Sequence, residues 1–104
     1  MAKNKALTLE RILSVLKEHK HELEEKYGIK EIGIFGSYVK GKPRKYSDID
    51  ILIEFKPEVK VSLLDFIGIE NYLSDLLGAN VDLVEKSALK PRIGKHILNE
   101  VIFL

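Results

Sequence analysis

The spacing of apolar residues differs between segments of this chain, and in the first segment it is the spacing of a helix. Over residues 8–27, leucine, isoleucine and tyrosine recur every three or four positions with charged residues between them. This pattern is typical of an amphipathic helix that packs one stripe against a core. Thr8 can cap the N-terminus of this helix, and Gly28 stands where a residue in the left-handed conformation would end it. The sequence therefore predicts a first helix from Thr8 to about Tyr27.

Two further helices are predicted in the second half of the chain. Ser62 can form a capping box with Asp65, and apolar residues at helical spacing continue from there to Gly78, which ends the segment. The third helix begins at Lys90-Pro91, because proline is tolerated in a first turn, and it runs to about Leu98.

Runs of β-branched and aromatic residues predict strands between these helices. Ile29–Phe35 and Asp48–Phe55 lie between the first and second helices, and Asn80–Val84 lies between the second and third. The second run is apolar on both faces after its start, which is the pattern of an interior strand. Periodicity leaves Val101–Leu104 open, either as an edge strand or as the end of the last helix. The predicted order is α-β-β-α-β-α with an optional final strand, an α/β (α+β) fold in one domain of residues 1–104.

The composition restricts the class of protein. Hydrophobic residues make up 45% and charged residues 32% of the chain, and the formal net charge is +1, so no global field favours nucleic acid or a membrane. There is no cysteine, which excludes disulfides and thiolate metal sites. No apolar run reaches the length of a membrane span, and the first residues lead into a helix instead of a signal peptide. We expect a cytoplasmic protein without direct nucleic-acid contacts.

Three aspartates stand on predicted strands that otherwise consist of Ile, Leu and Val: Asp48, Asp50 and Asp82. Residues i and i+2 of a strand project to the same face, so Asp48 and Asp50 would lie side by side. Neighbouring carboxylates repel each other unless a cation lies between them. Taken singly, Asp48 could cap a turn and Asp82 could face solvent on an edge strand. Together they favour a Mg²⁺ site, because this ion combines protein carboxylates with substrate phosphates.

The same three aspartates suit a site with two Mg²⁺ ions. Two such ions about 3.5–4 Å apart can clamp the attacking and leaving oxygens of an in-line displacement. Asp48 and Asp50 would bridge the ions, and Asp82 would hold the ion on the acceptor's side and could accept the proton of an attacking hydroxyl. Asp48, Asp50 and Asp82 are therefore the predicted catalytic residues and metal ligands.

Gly36-Ser37 follows the first predicted strand and supplies a candidate phosphate site. Glycine lets the backbone approach a ligand closely. A short helix that started at Ser37 would direct free N–H groups and a positive dipole end at phosphates. Gly-Ser is also among the commonest turn dipeptides, so its value depends on its fixed distance from Asp48 and Asp50.

Four basic residues fill the connection before the second strand: Lys40, Lys42, Arg44 and Lys45. They could simply form a solvated loop. Beside a triphosphate they would offset negative charge, lysine as a point charge and arginine through a bidentate contact. The candidate nucleotide-binding set is Gly36, Ser37, Lys40, Lys42 and Arg44.

Taken in order, these residues resemble a known signature. Gly36-Ser37, a gap of ten residues, Asp48-Ile-Asp50 and the later strand residue Asp82 are similar to the motif of the DNA polymerase β-like nucleotidyltransferase superfamily. The resemblance implies a mixed sheet with antiparallel pairing that is backed by helices. It also implies that Mg²⁺ and ATP, the substrate, bind in a cleft above the aspartates.

The short length and the C-terminal pattern resemble the minimal nucleotidyltransferase (MNT) subgroup, through Val81–Val84, Ala88–Arg92 and Ile97–Glu100. By this resemblance, the protein would be an antitoxin that transfers AMP to a tyrosine on a HEPN-domain ribonuclease toxin. Lys40 stands where the family often has arginine, which keeps the charge but loses the forked donor. The extra domain of larger relatives is missing, which favours a protein acceptor or a partner subunit.

Three functions fit these observations. The first is Mg²⁺-dependent transfer of AMP from ATP to a hydroxyl, which the resemblance identifies as a tyrosine of a HEPN toxin. The second is a non-catalytic antitoxin that neutralises its partner by binding alone; a decayed site would be expected to lose at least one of Asp48, Asp50 and Asp82, and all three are intact. The third is a small-molecule nucleotidyltransferase that acts on an aminoglycoside-like hydroxyl, for which the chain lacks a substrate domain unless a dimer supplies the pocket.

Overall fold

The structure, a computed structural model, describes residues 7–41 and 48–104. Within these residues the chain forms three α-helices, four strands and a short 3₁₀-helix. The helices are α1 (Leu9–Tyr27), α2 (Leu63–Leu77) and α3 (Pro91–Glu100), and the strands are β1 (Ile29–Phe35), β2 (Ile49–Phe55), β3 (Val81–Glu85) and β4 (Ile102–Phe103). The predicted α/β order is confirmed, and the optional final strand is present as β4.

Capping groups set the helix ends where the sequence predicts them. Thr8 Oγ1 accepts a hydrogen bond from the N–H of Arg11 at 3.1 Å, and Ser62 forms the reciprocal capping box with its N3 residue. Gly28 and Gly78 end α1 and α2 with φ of 69° and 68°, in the left-handed region that glycine adopts without strain. No helix in the described part of the chain is long and apolar enough to cross a membrane.

The four strands form a mixed sheet in the order β3-β2-β1-β4. β1 pairs antiparallel with both β2 and β4, whereas β2 pairs parallel with β3. β2 is therefore an interior strand, as its two apolar faces predict. The helix α2 connects β2 to β3, as parallel strands require a crossover. The mixed sheet with antiparallel pairing, which the resemblance implied, is confirmed.

One face of the sheet packs against α1 and α2. Ile49, Ile51 and Ile53 of β2 are fully buried, and because alternate residues share a face they mark the core side. The helices contribute buried residues to the same cluster, namely Ile12, Leu16, Leu23, Ile69 and Leu73. Asp50 alternates with these isoleucines, so its carboxylate lies on the sheet face away from α1 and α2.

The segment after β3 adds an element that the sequence did not predict. A 3₁₀-helix, Lys86–Ala88, follows β3 directly. Lys86 Nζ lies 3.8 Å from Glu31 Oε1 and 3.6 Å from Glu54 Oε1. These two glutamates are register partners on β1 and β2, so the lysine bridges the two strands on the face away from α1 and α2.

Three element boundaries differ from the prediction by one or two residues. β2 begins at Ile49, so Asp48 immediately precedes the strand instead of starting it. β3 spans Val81–Glu85, one residue later than expected. α3 continues past Leu98 to Glu100, and this extension places a carboxylate at the end of the helix.

Side chains of α2 close the outer edge of β3. The Val81 N–H donates to Ser74 Oγ at 3.1 Å, and the Leu83 N–H donates to Glu70 Oε2 at 3.0 Å. Ser74 Oγ itself donates to the Glu70 carbonyl oxygen at 2.9 Å. Two backbone donors that an edge strand would leave open are thus satisfied within the chain.

Candidate active site

The sheet brings Asp50 and Asp82 next to each other. They are direct register partners across the parallel β2–β3 pair, so their side chains project from the same face of strands that lie about 4.8 Å apart. Asp82 is exposed between the buried residues Val81 and Leu83, as its alternation predicts. Asp48 is exposed and lies just before β2, two residues from Asp50.

Asp50 is the electrostatically perturbed member of this group. Its carboxyl pKa is raised from 3.8 to about 6, first by partial burial and then by the negative charges of Asp82, Asp48 and Glu100, while Lys40 acts in the opposite direction. A carboxylate that is half-buried among like charges is held in an unfavourable state. A cation at this position would relieve that repulsion, which is the electrostatic requirement for a metal ligand.

Gly36 lies against Asp50 at the end of β1. Its φ is 83°, and a Cβ atom at this position would overlap the Asp50 carboxylate. Phe35, the residue before it, is the register partner of Asp50 across β1 and β2. Glycine is therefore required here for two reasons, the left-handed backbone and the close approach of the aspartate.

The chain turns sharply after Gly36. The Gly36 carbonyl oxygen accepts hydrogen bonds from the N–H groups of Val39 and Lys40 at 3.1 and 3.0 Å, so residues 37–41 form a compact turn beside the aspartates. Ser37 is half-buried in this turn. The predicted nucleotide-binding residues Lys42 and Arg44, and the neighbouring Lys45, lie outside the described residues.

Glu100 is the residue of this site that the sequence analysis did not assign. Its Oε2 accepts a hydrogen bond from the Gly36 N–H at 2.7 Å, and its Oε1 lies 3.6 Å from Lys40 Nζ. The sequence analysis contains Glu100 only as the last residue of the Ile97–Glu100 pattern, which gives it no role, because its contacts with Gly36 and Lys40 depend on the fold.

The aspartates fit a divalent cation in their chemistry. Asp50 and Asp82 share a sheet face and supply carboxylate oxygens, the donors that Mg²⁺ prefers. Among residues 7–41 and 48–104, however, no three ligand-type side chains stand close enough together to hold a metal on their own. One or two protein carboxylates are usual for Mg²⁺, because substrate phosphates complete its coordination. The three-aspartate ligand set and the two-ion count stay predictions.

The family of this chain follows from comparison with known proteins. The model of the nucleotidyltransferase domain family matches residues 16–104, a range that contains Gly36 and all three aspartates. The chain belongs to the nucleotidyltransferase domain family. This nucleotidyltransferase is 54% identical over 98 residues to protein adenylyltransferase MntA of Thermococcus cleftensis, a match that covers 94% of this chain and 97% of the relative.

A solved structure at 33% identity places this nucleotidyltransferase in the MNT subgroup. A structure of a minimal nucleotidyltransferase is 33% identical, with a TM-score of 0.78, over 97% of this chain and all of that one (100%). A second structure is a complex of a tri-AMPylated Shewanella oneidensis HEPN toxin with an MNT antitoxin. It matches with a TM-score of 0.65 over 88% of this chain and 70% of that one, and at 17% identity it shows the fold alone. The predicted resemblance and the predicted enzyme class, nucleotidyltransferase, are both confirmed.

Proposed function

We propose that this nucleotidyltransferase moves AMP from ATP to a tyrosine hydroxyl of a HEPN-domain toxin and acts as the antitoxin of that pair. The observation that carries the proposal is the register pairing of Asp50 with Asp82. These aspartates lie beside the turn at Gly36, where any other residue would clash with the Asp50 carboxylate. Support comes from the 54% identity to a protein adenylyltransferase and from the likeness in fold to an MNT antitoxin that is bound to an AMPylated HEPN toxin.

In the proposed reaction the tyrosine oxygen attacks the α-phosphorus of ATP and pyrophosphate leaves. Asp48, Asp50 and Asp82 would hold Mg²⁺, which supplies Lewis-acid stabilisation of the phosphate oxygens. Asp82 is exposed, and in this proposal it also accepts the proton of the attacking hydroxyl. The aspartates thereby align the two reacting oxygens, since phosphoryl transfer depends mainly on positioning and on charge stabilisation.

The turn after β1 is proposed to hold the triphosphate. Gly36 allows the backbone to approach the phosphates, Ser37 provides a hydroxyl donor, and Lys40 provides a positive charge that is 63% exposed to solvent. Lys42 and Arg44 are proposed to add charge from the same connection. This arrangement keeps the negative β- and γ-phosphates near basic groups and the α-phosphate near the aspartates.

A protein acceptor is supported by apolar side chains on the surface of α2. Leu63 and Leu64 are 73% and 80% exposed, and Ile67 is 40% exposed. Adjacent exposed leucines of this kind are typical of surfaces that bind another protein, although ligand-binding grooves also expose apolar side chains.

The test is to co-express the chain with a HEPN-domain protein, supply ATP and Mg²⁺, and measure the mass of the HEPN protein. We expect an added AMP mass with the native chain, and none with Asp48→Asn or Asp50→Asn, while circular dichroism shows that both variants fold. Asp75→Asn, at an exposed position of α2, is the matched control and should transfer normally.

The alternatives give different results in the same experiment. Tight complex formation with no change of mass would support the non-catalytic antitoxin. Transfer of AMP to an aminoglycoside but not to the HEPN protein would support the small-molecule enzyme. AMP transfer that continues undiminished in Asp50→Asn would contradict the assignment of the aspartates.

A further inference from the structure

Glu100 links the end of α3 to the turn after β1. Its side chain is 25% exposed, and its Oε1 lies 3.6 Å from Lys40 Nζ. Its Oε2 accepts the Gly36 N–H at 2.7 Å, across 64 positions of sequence. A hydrogen bond from a backbone N–H to an ionised carboxylate is shorter and stronger than one between neutral groups. One carboxylate therefore contacts both a backbone donor and a cation of the same turn.

The local sequence gives no reason for a glutamate at this position. Glu100 is the last residue of α3, where the negative end of the helix dipole disfavours a carboxylate. A residue that conflicts with its local preference is explained by contacts made elsewhere. The contacts of Glu100 are those with Gly36 and Lys40.

The chain holds Glu100 in place through the elements on either side. β4 begins two residues after Glu100, and its Ile102 is the register partner of Ile34 on β1. Gly33 lets β4 approach, because a Cβ there would lie 2.7 Å from Val101 Cγ2 and 3.0 Å from the Ile102 carbonyl oxygen. The backbone around Glu100 is therefore fixed relative to the end of β1, where Gly36 lies.

We propose that Glu100 is a positioning residue for the nucleotide-binding turn. Its Oε2 orients the Gly36 peptide that packs against Asp50, and its Oε1 restrains Lys40 beside the same aspartate. This inference rests on the proposed function of the turn in binding ATP. It assigns Glu100 an action through Gly36 and Lys40, with no contact to the reacting atoms.

A second glutamate provides a matched control. Glu54 also lies 3.6 Å from a lysine, Lys86, and its side chain is 31% exposed, close to the 25% of Glu100. It lies four residues beyond Asp50 on β2, a distance of about 13 Å along the strand. Loss of the Glu54 ion pair should therefore affect stability alone, and by little, since partly exposed pairs contribute about 0–1 kcal/mol.

The kinetic experiment compares Glu100→Ala, Glu100→Gln and Glu54→Ala in AMP transfer to the HEPN-domain protein. We expect Glu100→Ala to lower kcat by about tenfold to a hundredfold, the effect of a small misplacement at a reacting site. The kcat of Glu100→Gln should fall between those of Glu100→Ala and the native chain, because its amide oxygen still accepts the Gly36 N–H while the neutral amide no longer pairs with Lys40. Glu54→Ala should match the native chain. A kcat for Glu100→Ala equal to that of Glu54→Ala would overturn the inference.

A double-mutant cycle separates positioning from general stability. Lys40→Met should cost less activity in the Glu100→Ala background than in the native background, because Lys40 is already misplaced when Glu100 is absent. Equal costs in both backgrounds would show that Glu100 does not act through Lys40 and would overturn that part of the inference.

Amide hydrogen exchange tests the same inference without an activity assay. The exchange rate of the Gly36 N–H is measured by NMR on the ¹⁵N-labelled chain in the absence of nucleotide. Exchange should be faster in Glu100→Ala and close to native in Glu100→Gln and Glu54→Ala. Unchanged exchange in Glu100→Ala would overturn the inference. A native chain that transfers no AMP would instead contradict the proposed function, and the exchange rates would still decide whether Glu100 orients Gly36.

Discussion

At the scale of single residues, Asp50 favours cation binding at the site but destabilises the folded chain. Its carboxylate is half-buried on an interior strand, beside Asp48 and Asp82. Burial and like charges raise its pKa to about 6, so at neutral pH the folded chain carries a charge that is less favourable there than in the unfolded chain. A site that binds a cation gains from this arrangement, whereas the empty fold is destabilised by it.

Asp50→Asn should therefore stabilise the fold at neutral pH while it removes AMP transfer. The pKa is about 6 in the folded chain and 3.8 when unperturbed. Below pH 4 the Asp50 carboxyl is protonated in both the folded and the unfolded chain, so it does not destabilise the fold. The destabilisation develops between pH 4 and 6, as the carboxyl ionises, and it is complete above pH 6. After allowance for solvent screening, we expect a gain of about 1 kcal/mol at pH 7, equivalent to about 5 °C in Tm.

Thermal melts of Asp50→Asn and the native chain from pH 3.5 to pH 8 measure this effect. Glu58→Gln, at an exposed position after β2, is the control for the loss of one negative charge away from the aspartates. A gain in Tm for Asp50→Asn that is equally large at pH 3.5 would contradict the electrostatic origin.

The residues of the site differ in how far the sequence could reveal them. Asp50 and Asp82 stand out because aspartate is a poor strand former inside an apolar run, and the structure brings them together as register partners. Glu100 could not be found in this way. Its role depends on contacts with Gly36 and Lys40 across 64 and 60 positions of sequence, and no local pattern encodes such contacts.

At the scale of elements, α2 has two functions in the fold. Its inner face contributes Ile69 and Leu73 to the core, and its polar residues Ser74 and Glu70 bind the backbone of β3. Val81, which donates to Ser74, is the neighbour of Asp82 in the chain. The helix therefore sets the position of one strand that carries a site residue.

Ser74→Ala should reduce both stability and transfer. Without the hydroxyl, the part-buried Val81 N–H loses its partner, at a cost of about 1–3 kcal/mol, and the start of β3 is free to shift Asp82 relative to Asp50. Urea unfolding and AMP-transfer rates measure the two effects.

Thr8→Ala is the matched control for Ser74→Ala. It removes the hydroxyl that caps the N-terminus of α1, at a cost of about 1 kcal/mol, and should leave the transfer rate of the folded protein unchanged. If both variants transfer AMP at the native rate, α2 does not position β3 for function.

The ends of α1 and α2 could be predicted from the sequence, because capping residues close to each end determine them. Thr8, Gly28, Ser62 and Gly78 fix the helix ends through caps that involve only neighbouring residues. The short strand β4 was left undecided, since its existence depends on pairing with Gly33 and Ile34 on β1. The mixed sheet with antiparallel pairing was implied by the family resemblance and not by periodicity, and the strand order β3-β2-β1-β4 was not predicted.

At the scale of the whole molecule, nucleotide binding should be visible as stabilisation. A ligand that binds only the folded state adds about 2.7 kcal/mol when its concentration is 100 times its Kd, which corresponds to a rise in Tm of about 13 °C for a chain of this size. We expect this rise with Mg²⁺ and α,β-methylene-ATP, an analogue that cannot be cleaved between the α- and β-phosphates.

The same melts contain their own controls. Addition of EDTA should remove most of the rise, because the aspartates then face the phosphates without a cation. Asp50→Asn should show a smaller rise than the native chain, although its Tm without ligand is higher. A rise that is independent of both EDTA and Asp50 would contradict a metal-dependent nucleotide site at the aspartates.

The closed edge of β3 limits how another protein can recognise this one. Because Ser74 and Glu70 already occupy the Val81 and Leu83 donors, a partner cannot bind there by adding a strand to the sheet. A protein that approaches this side must recognise side-chain shape and charge, and substitutions at the contacted positions change both. Closely related copies of this fold could therefore coexist in one cell, each bound to its own partner, without exchanging partners through shared backbone contacts at this edge.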